Sequence, residues 1–207
     1  MALLRPVWVP ALALALFYFC FLVQTWGINA WLPTIFVRQG FTLVKSFAYT
    51  MVIFMVTPIS HIPAIWLHKR INRKWALFWM TFAGSLAFVG FGLSFQYGLP
   101  IQVVVAAQVL QTLLTQGVIS IFFTLCAELF PTPARTFGIG VINALGRMGG
   151  VLGPFAIGVL LHMGFAVSTI IYLLAAPLAV AAFVTLVAVQ FGPRHLRLED
   201  IRPAEAS

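Results

Sequence analysis

Arg147 is the residue whose type and position most constrain the chemistry. It lies twelve residues after Arg135 in the stretch Ala127–Pro154, which reads AELFPTPARTFGIGVINALGRMGGVLGP. Twelve helical residues span about 18 Å, and half of a bilayer's hydrocarbon core is about 15 Å. With Arg135 at the membrane surface, Arg147 falls near the midplane. A guanidinium there must face protein or a water-filled cavity, and it marks a functional position. Its planar fork holds a carboxylate through two parallel bonds, so an organic anion is one expected ligand. Capping the carbonyls of a kinked neighbouring helix is the structural alternative. Asn143 precedes it by one turn and shares its helix face.

Other polar groups recur inside apolar runs. Gln24, Thr25 and Asn29 sit in VQTWGINAWLP; their amides suit hydroxyl-bearing ligands or bonding between helices. Gln108, Gln111, Thr112, Thr115 and Gln116 follow i, i+3, i+4, i+7, i+8 and share one helical face. Three glutamines and two threonines on one face read as the lining of a wet cavity, with interhelical bonding as the alternative. Glu128 is the one acid near the apolar runs and is expected to pair with Arg135, its nearest arginine in sequence, or with Arg70 or Arg73. Such a pair would close the helix ends in one state and open in another. An ionisable group inside a span would mark an ion or proton path, but Glu128 stands at a helix end. Neither the four histidines nor the two cysteines have metal-ligand company, so no metal or cofactor is expected. His61 and His162 read as helix-end or packing residues. No serine, cysteine and histidine set suggests a nucleophile, so an enzyme is not expected.

The elements that carry these residues must be membrane helices. The chain has 207 residues, 62% hydrophobic and 8% charged, with mean hydropathy +1.04; a soluble domain is about 45–50% apolar and about 25% charged. Six runs are long enough to span: Pro10–Phe36, Phe47–Leu67, Trp75–Phe95, Leu99–Leu125, Phe137–Leu161 and Phe165–Phe191. They must be helical, because backbone polar groups in lipid need internal partners. The +8 net charge resides between the runs, where positive-inside retention accounts for it, so nucleic acid is not an expected partner. Nine basic residues fall on the N-terminal side (Arg5, Lys69, Arg70, Arg73, Lys74, Arg135, Arg194, Arg197, Arg202) and two, Arg38 and Lys45, on the other. That places both termini in the cytoplasm; a bacterial inner membrane is the expected location. Residues 1–193 form one membrane domain and 194–207 a solvated polar tail, with no cleavable leader expected. Pro131 and Pro133 should break the chain between the fourth and fifth runs, and Pro58 and Pro63 should kink the second. Cys20 and Cys126 read as small buried hydrophobes. The pairs Gly146–Gly150 and Gly149–Gly153 permit close approach of a neighbouring helix, read as internal packing, not a dimer motif.

Three motifs carry a family resemblance. ELFPTxxR followed by GRxGGxxGP resembles the junction of the tenth and eleventh helices of the major facilitator superfamily, most closely its metabolite:proton and aromatic-acid:proton symporters. QxxGINA resembles the seventh helix of that superfamily's sugar porters. KRINRK resembles its DRxGRR loop, with Asn72 for glycine and Lys69 for aspartate, so the loop's acid is lost. The resemblance implies an all-α membrane protein of six transmembrane helices, one half of the twelve-helix fold. It implies alternating-access transport of a small organic acid anion with proton coupling, and Arg147, Asn143, Asn29, Gln24, Gln108, Gln111 and Thr115 as substrate-binding residues. A sugar is the alternative substrate. A non-transporting scaffold or accessory subunit is the alternative function. Substrate in this superfamily lies between two halves, so the expected partners are the bilayer, a small solute and a second six-helix half, either an N-terminal half or a second copy. Alone, the half would turn the glutamine stripe and Arg147 toward lipid.

Overall fold

The computed structural model describes residues 8–130 and 134–191. Pro131, Pro133 and the tail 194–207 lie outside the described residues, as do Arg5, Arg194, Arg197 and Arg202. The described chain is all helical: α1 (Trp8–Arg38), α2 (Leu43–Met55), α3 (His61–Arg70), α4 (Arg73–Gln96), α5 (Ile101–Thr115), α6 (Val118–Leu129), α7 (Arg135–His162) and α8 (Val167–Phe191). Five helices are long and apolar enough to cross a membrane, with α5 and α6 acting as one near-continuous span over Ile101–Leu129.

The expected second span is not one helix. Phe47–Leu67 is divided into α2 and α3 by a turn at residues 56–60. Pro58 occupies that turn, where its missing N–H cannot continue the helical ladder. Pro63 is the third residue of α3, where an N–H would have no intrahelical acceptor. The α5–α6 span is interrupted at Gln116–Gly117. The two interruptions touch: a Cβ on Gly117 would strike the Ser60 carbonyl, and would lie 2.8 Å from the Ala64 Cβ.

Packing runs mainly through α7, α1, α8, α4 and α5, each against the next. The α1–α7 contact is closest. Gly149 and Gly153 lie against the carbonyls of Phe19 and Val23, and Gly146 lies under the Tyr18 ring. The glycines therefore serve packing inside the chain, as their spacing suggested. Trp31 Nε1 donates to the Pro154 carbonyl at 2.8 Å. On the other side, Ser85 Oγ of α4 donates to the Ala175 carbonyl of α8 at 3.3 Å, and Tyr172 donates to Gln96 Oε1 at 2.7 Å.

The core has two apolar layers stacked along the helix axes. One is built on Phe17, Phe21, Leu77, Phe122, Ile142 and Leu178, the other on Ile28, Phe36, Phe88, Val104, Ile157 and Ile171. In α1, α4, α5 and α7, and at the α2–α3 turn, polar residues lie between the positions that feed the two layers. Gln24 lies between Leu22 and Ile28, Ser85 between Met80 and Phe88, and Gln108–Thr115 between Val104 and Val118. Ser60 and His61 lie between Ile53 and Ala64, and Asn143 and Arg147 between Ile142 and Ile157. A polar belt thus crosses the protein at mid-height.

Candidate functional site

The belt contains Gln24, Gln108, Gln111, Thr115, Asn143 and Arg147, while Asn29 lies just beyond it between Ile28 and Leu32 of the second layer; hydrogen bonds join five of the belt residues into two groups that leave Gln24 out. On α5, Gln108 Nε2 donates to Gln111 Oε1 at 3.1 Å and Gln111 Nε2 to Thr115 Oγ1 at 2.9 Å. Thr115 Oγ1 in turn donates to the Gln111 carbonyl at 2.9 Å. This ladder is buried, and a Cβ on Gly84 of α4 would collide with the Thr115 methyl. The stripe therefore does not lie on an open wall or face lipid, which corrects the expectation for an isolated half. The small residue at position 84 lets α5 turn its polar face inward, where burial makes each hydrogen bond costly to lose.

The second group faces out. Arg147 is exposed on α7, and its Nε donates to Asn143 Oδ1 at 3.3 Å. The one-turn spacing had placed both on one face, and they do meet. No other hydrogen bond from Arg147 is found among the described residues, so its two Nη groups are available. Around it α7 exposes Val141, Leu145, Met148 and Val151. Apolar exposure is ordinary against lipid; a guanidinium among it is not.

On α1, Gln24 is fully buried and accepts from Thr25 Oγ1 at 3.3 Å, while its Nε2 has no partner. Gln108 Oε1 is likewise buried and unpartnered. One orphan donor and one orphan acceptor in the same belt are expensive in a dry interior and suit a bound polar molecule. Asn29 is half-buried.

At the end of the bundle that carries the basic residues, Glu128 forms its ion pair with Arg73 at the start of α4, not with Arg135. The residues between Glu128 and Arg135 include two prolines, and sequence proximity did not decide the partner; the packing of α6 beside α4 did. Arg70 lies over the Trp66 ring, 5.2 Å from its centroid. Arg135 is exposed. No group of three or more histidine, cysteine, aspartate or glutamate residues able to hold a metal is found among the described residues.

Two features escaped the sequence reading. Trp31 bonds Pro154 because Gly158 leaves room for its indole, whose Cζ2 would lie 3.0 Å from an added Cβ; the partner is 123 residues away and has no local signal. Tyr18 stacks on Phe122 at 4.8 Å beside the α7 glycines, a contact with no local signal.

Long apolar helices with a mid-height polar belt and an outward arginine define a multi-pass membrane protein. No family model matches the chain. It is 32% identical over 195 residues to a Bacillus subtilis protein named as a niacin/nicotinamide transporter, covering 86% of this chain and 45% of that one. It is 31% identical over 157 residues to the niacin transporter of Acinetobacter baylyi, covering 75% and 35%. It is 30% identical over 153 residues to an Escherichia coli inner membrane metabolite transport protein, covering 69% and 31%. The chain belongs with these metabolite transporters of the major facilitator type and spans less than half the length of each.

Proposed function

We propose that the chain moves a small organic acid anion across a bacterial inner membrane by alternating access, as one half of a twelve-helix unit, with both termini in the cytoplasm. Arg147 carries this reading: a guanidinium with two unengaged Nη groups stands at the height of the polar belt on an otherwise apolar face. A carboxylate accepts two parallel bonds from such a fork, with Asn143 setting its approach. Gln24 and the Gln108–Gln111–Thr115 ladder in the same belt, with Asn29 just beyond it, supply hydroxyl- or ring-nitrogen-recognising groups. Two of the relatives are named for niacin, which as nicotinate is an aromatic carboxylate of this kind. α2 and α3 together make the sixth crossing. The exposed face of α7 then meets a second half, which covers Arg147 and encloses the solute. Proton coupling belongs to this reading as well.

The test is binding of nicotinate and benzoate to purified wild-type, Arg147→Lys and Arg147→Gln proteins, with melting temperatures alongside. Charge-assisted bonds are worth about 1.5–3 kcal/mol. Arg147→Gln should therefore weaken nicotinate binding by at least about tenfold, equivalent to about 1.4 kcal/mol, at an unchanged melting temperature. Arg147→Lys keeps the charge but not the fork and should fall between. Equal affinity in a well-folded Arg147→Gln protein removes the anion site. A loss of stability in both variants with affinity retained assigns Arg147 to capping a neighbouring helix. Failure of the wild type, shown to be paired with a second half, to bind or move any such acid would favour the scaffold reading.

A further inference from the structure

We infer that His61 is a proton-binding site inside the membrane, loading and releasing a proton at the interruption between α2 and α3. Its role in coupling rests on the transport reading above; the proton site itself does not.

The depth of His61 comes first. Arg70 ends α3 at the basic end of the bundle, nine residues after His61, which is about 14 Å of helix. Half the hydrocarbon thickness is about 15 Å. His61 therefore stands near the midplane, in the same belt as Gln24, Gln108 and Arg147. An ionisable side chain at that depth marks an ion or proton path more often than it serves packing.

The turn then specifies which nitrogen can react. The Thr57 carbonyl receives Ser60 N at 3.2 Å, Ser60 Oγ at 2.6 Å and His61 Nδ1 at 3.2 Å. A carbonyl only accepts, so this contact is a hydrogen bond when Nδ1 carries the hydrogen and the lone pair of the neutral ring is on Nε2; Ser60 Oγ, 3.5 Å from Nδ1 and itself donating to Thr57, can then accept from it. No hydrogen bond to Nε2 is found among the described residues, and the side chain is half-buried rather than sealed. Uptake of one proton by Nε2 from water gives an imidazolium still held through Nδ1 by Thr57. Release of that proton from Nε2 to the opposite side restores the neutral ring. The Thr57 carbonyl presents the negative end of its dipole to Nδ1, partly offset by the Ser60 donors; the carboxyl end of α2 adds to it, while the amino end of α3 opposes it. Carbonyls at interrupted helices serve cations in this way in other transporters.

Among the described residues, the helices packed on α3 supply no competing charge at this depth; Arg147 is on α7, which is not among them. α3 packs on α4, α5 and α6. Arg73 and Lys74 on α4 and Glu128 on α6 stand at the basic end, where Glu128 is engaged by Arg73. α5 carries no charged residue, and Cys126 of α6 is buried in the apolar layer. Lys45 and Tyr49 on α2 lie toward the opposite end, while His68, Lys69 and Arg70 follow on α3 itself. The turn also lies where a movement would be felt, because the Ser60 carbonyl rests on Gly117 at the interruption of the α5–α6 span. Moving the α2–α3 turn must move the element carrying the glutamine ladder.

The test uses the full chain in lipid nanodiscs, with 15N-labelled histidine and assignment through Gln replacements at His68, His162 and His195. On acidification the His61 ring should change reversibly from the Nδ1-protonated neutral tautomer to the imidazolium. A ring that keeps one protonation state over the whole range in which the protein stays folded overturns the inference, as does a neutral ring protonated on Nε2. In proteoliposomes, His61→Gln should abolish nicotinate accumulation driven by an imposed pH gradient, at least tenfold, while nicotinate exchange at equal pH is retained. Equal gradient-driven accumulation by wild type and His61→Gln overturns the coupling role. A wild type shown to be paired with a second half that titrates at His61 but moves no nicotinate in either assay speaks against the transport reading and leaves the proton site in place.

Discussion

Glu128 and Arg73 show how little a single ion pair must contribute to stability in order to matter. Their side chains are 53% and 39% exposed, so the pair is worth at most about 1 kcal/mol. Its consequence lies elsewhere: it ties the end of α6 to the start of α4 across the basic end of the bundle. If it holds one state of the cycle, Glu128→Gln and Arg73→Gln should each leave the melting temperature nearly unchanged. Each should also shift the fraction of molecules whose basic end is open, read as labelling of a cysteine placed near Arg70. Transport and labelling both identical to wild type would deny the pair any gating role. Arg135→Gln is the informative control, because sequence proximity alone would have assigned it the same part.

At the scale of elements, α1 and α7 are held by backbone contact rather than by side-chain volume. Gly149 and Gly153 bring α7 onto the carbonyls of Phe19 and Val23, a geometry that also allows weak Cα–H···O contacts. A side chain at position 149 would meet backbone, which cannot swing aside as a rotamer can. Gly149→Val should therefore cost about 1–3 kcal/mol, the usual range for overpacking, and lower the melting temperature in detergent. Gly140→Val on the same helix meets nothing within 4 Å and should cost far less. Equal losses at the two positions would mean that helix propensity, not the α1–α7 contact, sets the stability of α7. The same logic applies where Gly117 faces Ser60, except that there a side chain would separate two interrupted spans.

The whole molecule presents one face that its own helices leave uncovered. Most of α7 is exposed, from Phe137 through Met148 to Phe155, and an apolar groove between α1 and α7 runs along Leu12, Ala15, Phe130, Val141 and Leu145. Lipid could cover the apolar part but not Arg147. A second half, whether a separate chain or another copy, would cover both, and its absence should abolish transport because a solute between halves needs two walls. Native mass spectrometry of the purified protein, paired with nicotinate uptake in proteoliposomes, examines this directly. Uptake by a species shown to be a six-helix monomer would end the two-half account.

Hydropathy by itself determined that this chain is a bundle of membrane helices, because the length of an apolar run is set against a bilayer of known thickness and the backbone has no other way to cross it. Helical periodicity likewise placed Gln108, Gln111 and Thr115 on one face and Asn143 beside Arg147, since neighbours three and four apart need no tertiary information. Which way those faces turn was not in the local sequence. The glutamine ladder points inward because Gly84 admits Thr115, while Arg147 points outward because the glycines at 146, 149 and 153 turn the other side of α7 onto α1. Pro58 announced a kink, but the full interruption of the span became visible only with Ser60 against Gly117, residues fifty-seven positions apart. Glu128 chose Arg73 over Arg135 for the same reason. Contacts between distant segments depend on how the helices rotate about their axes and pack, and the shapes of all the helices together decide that rotation.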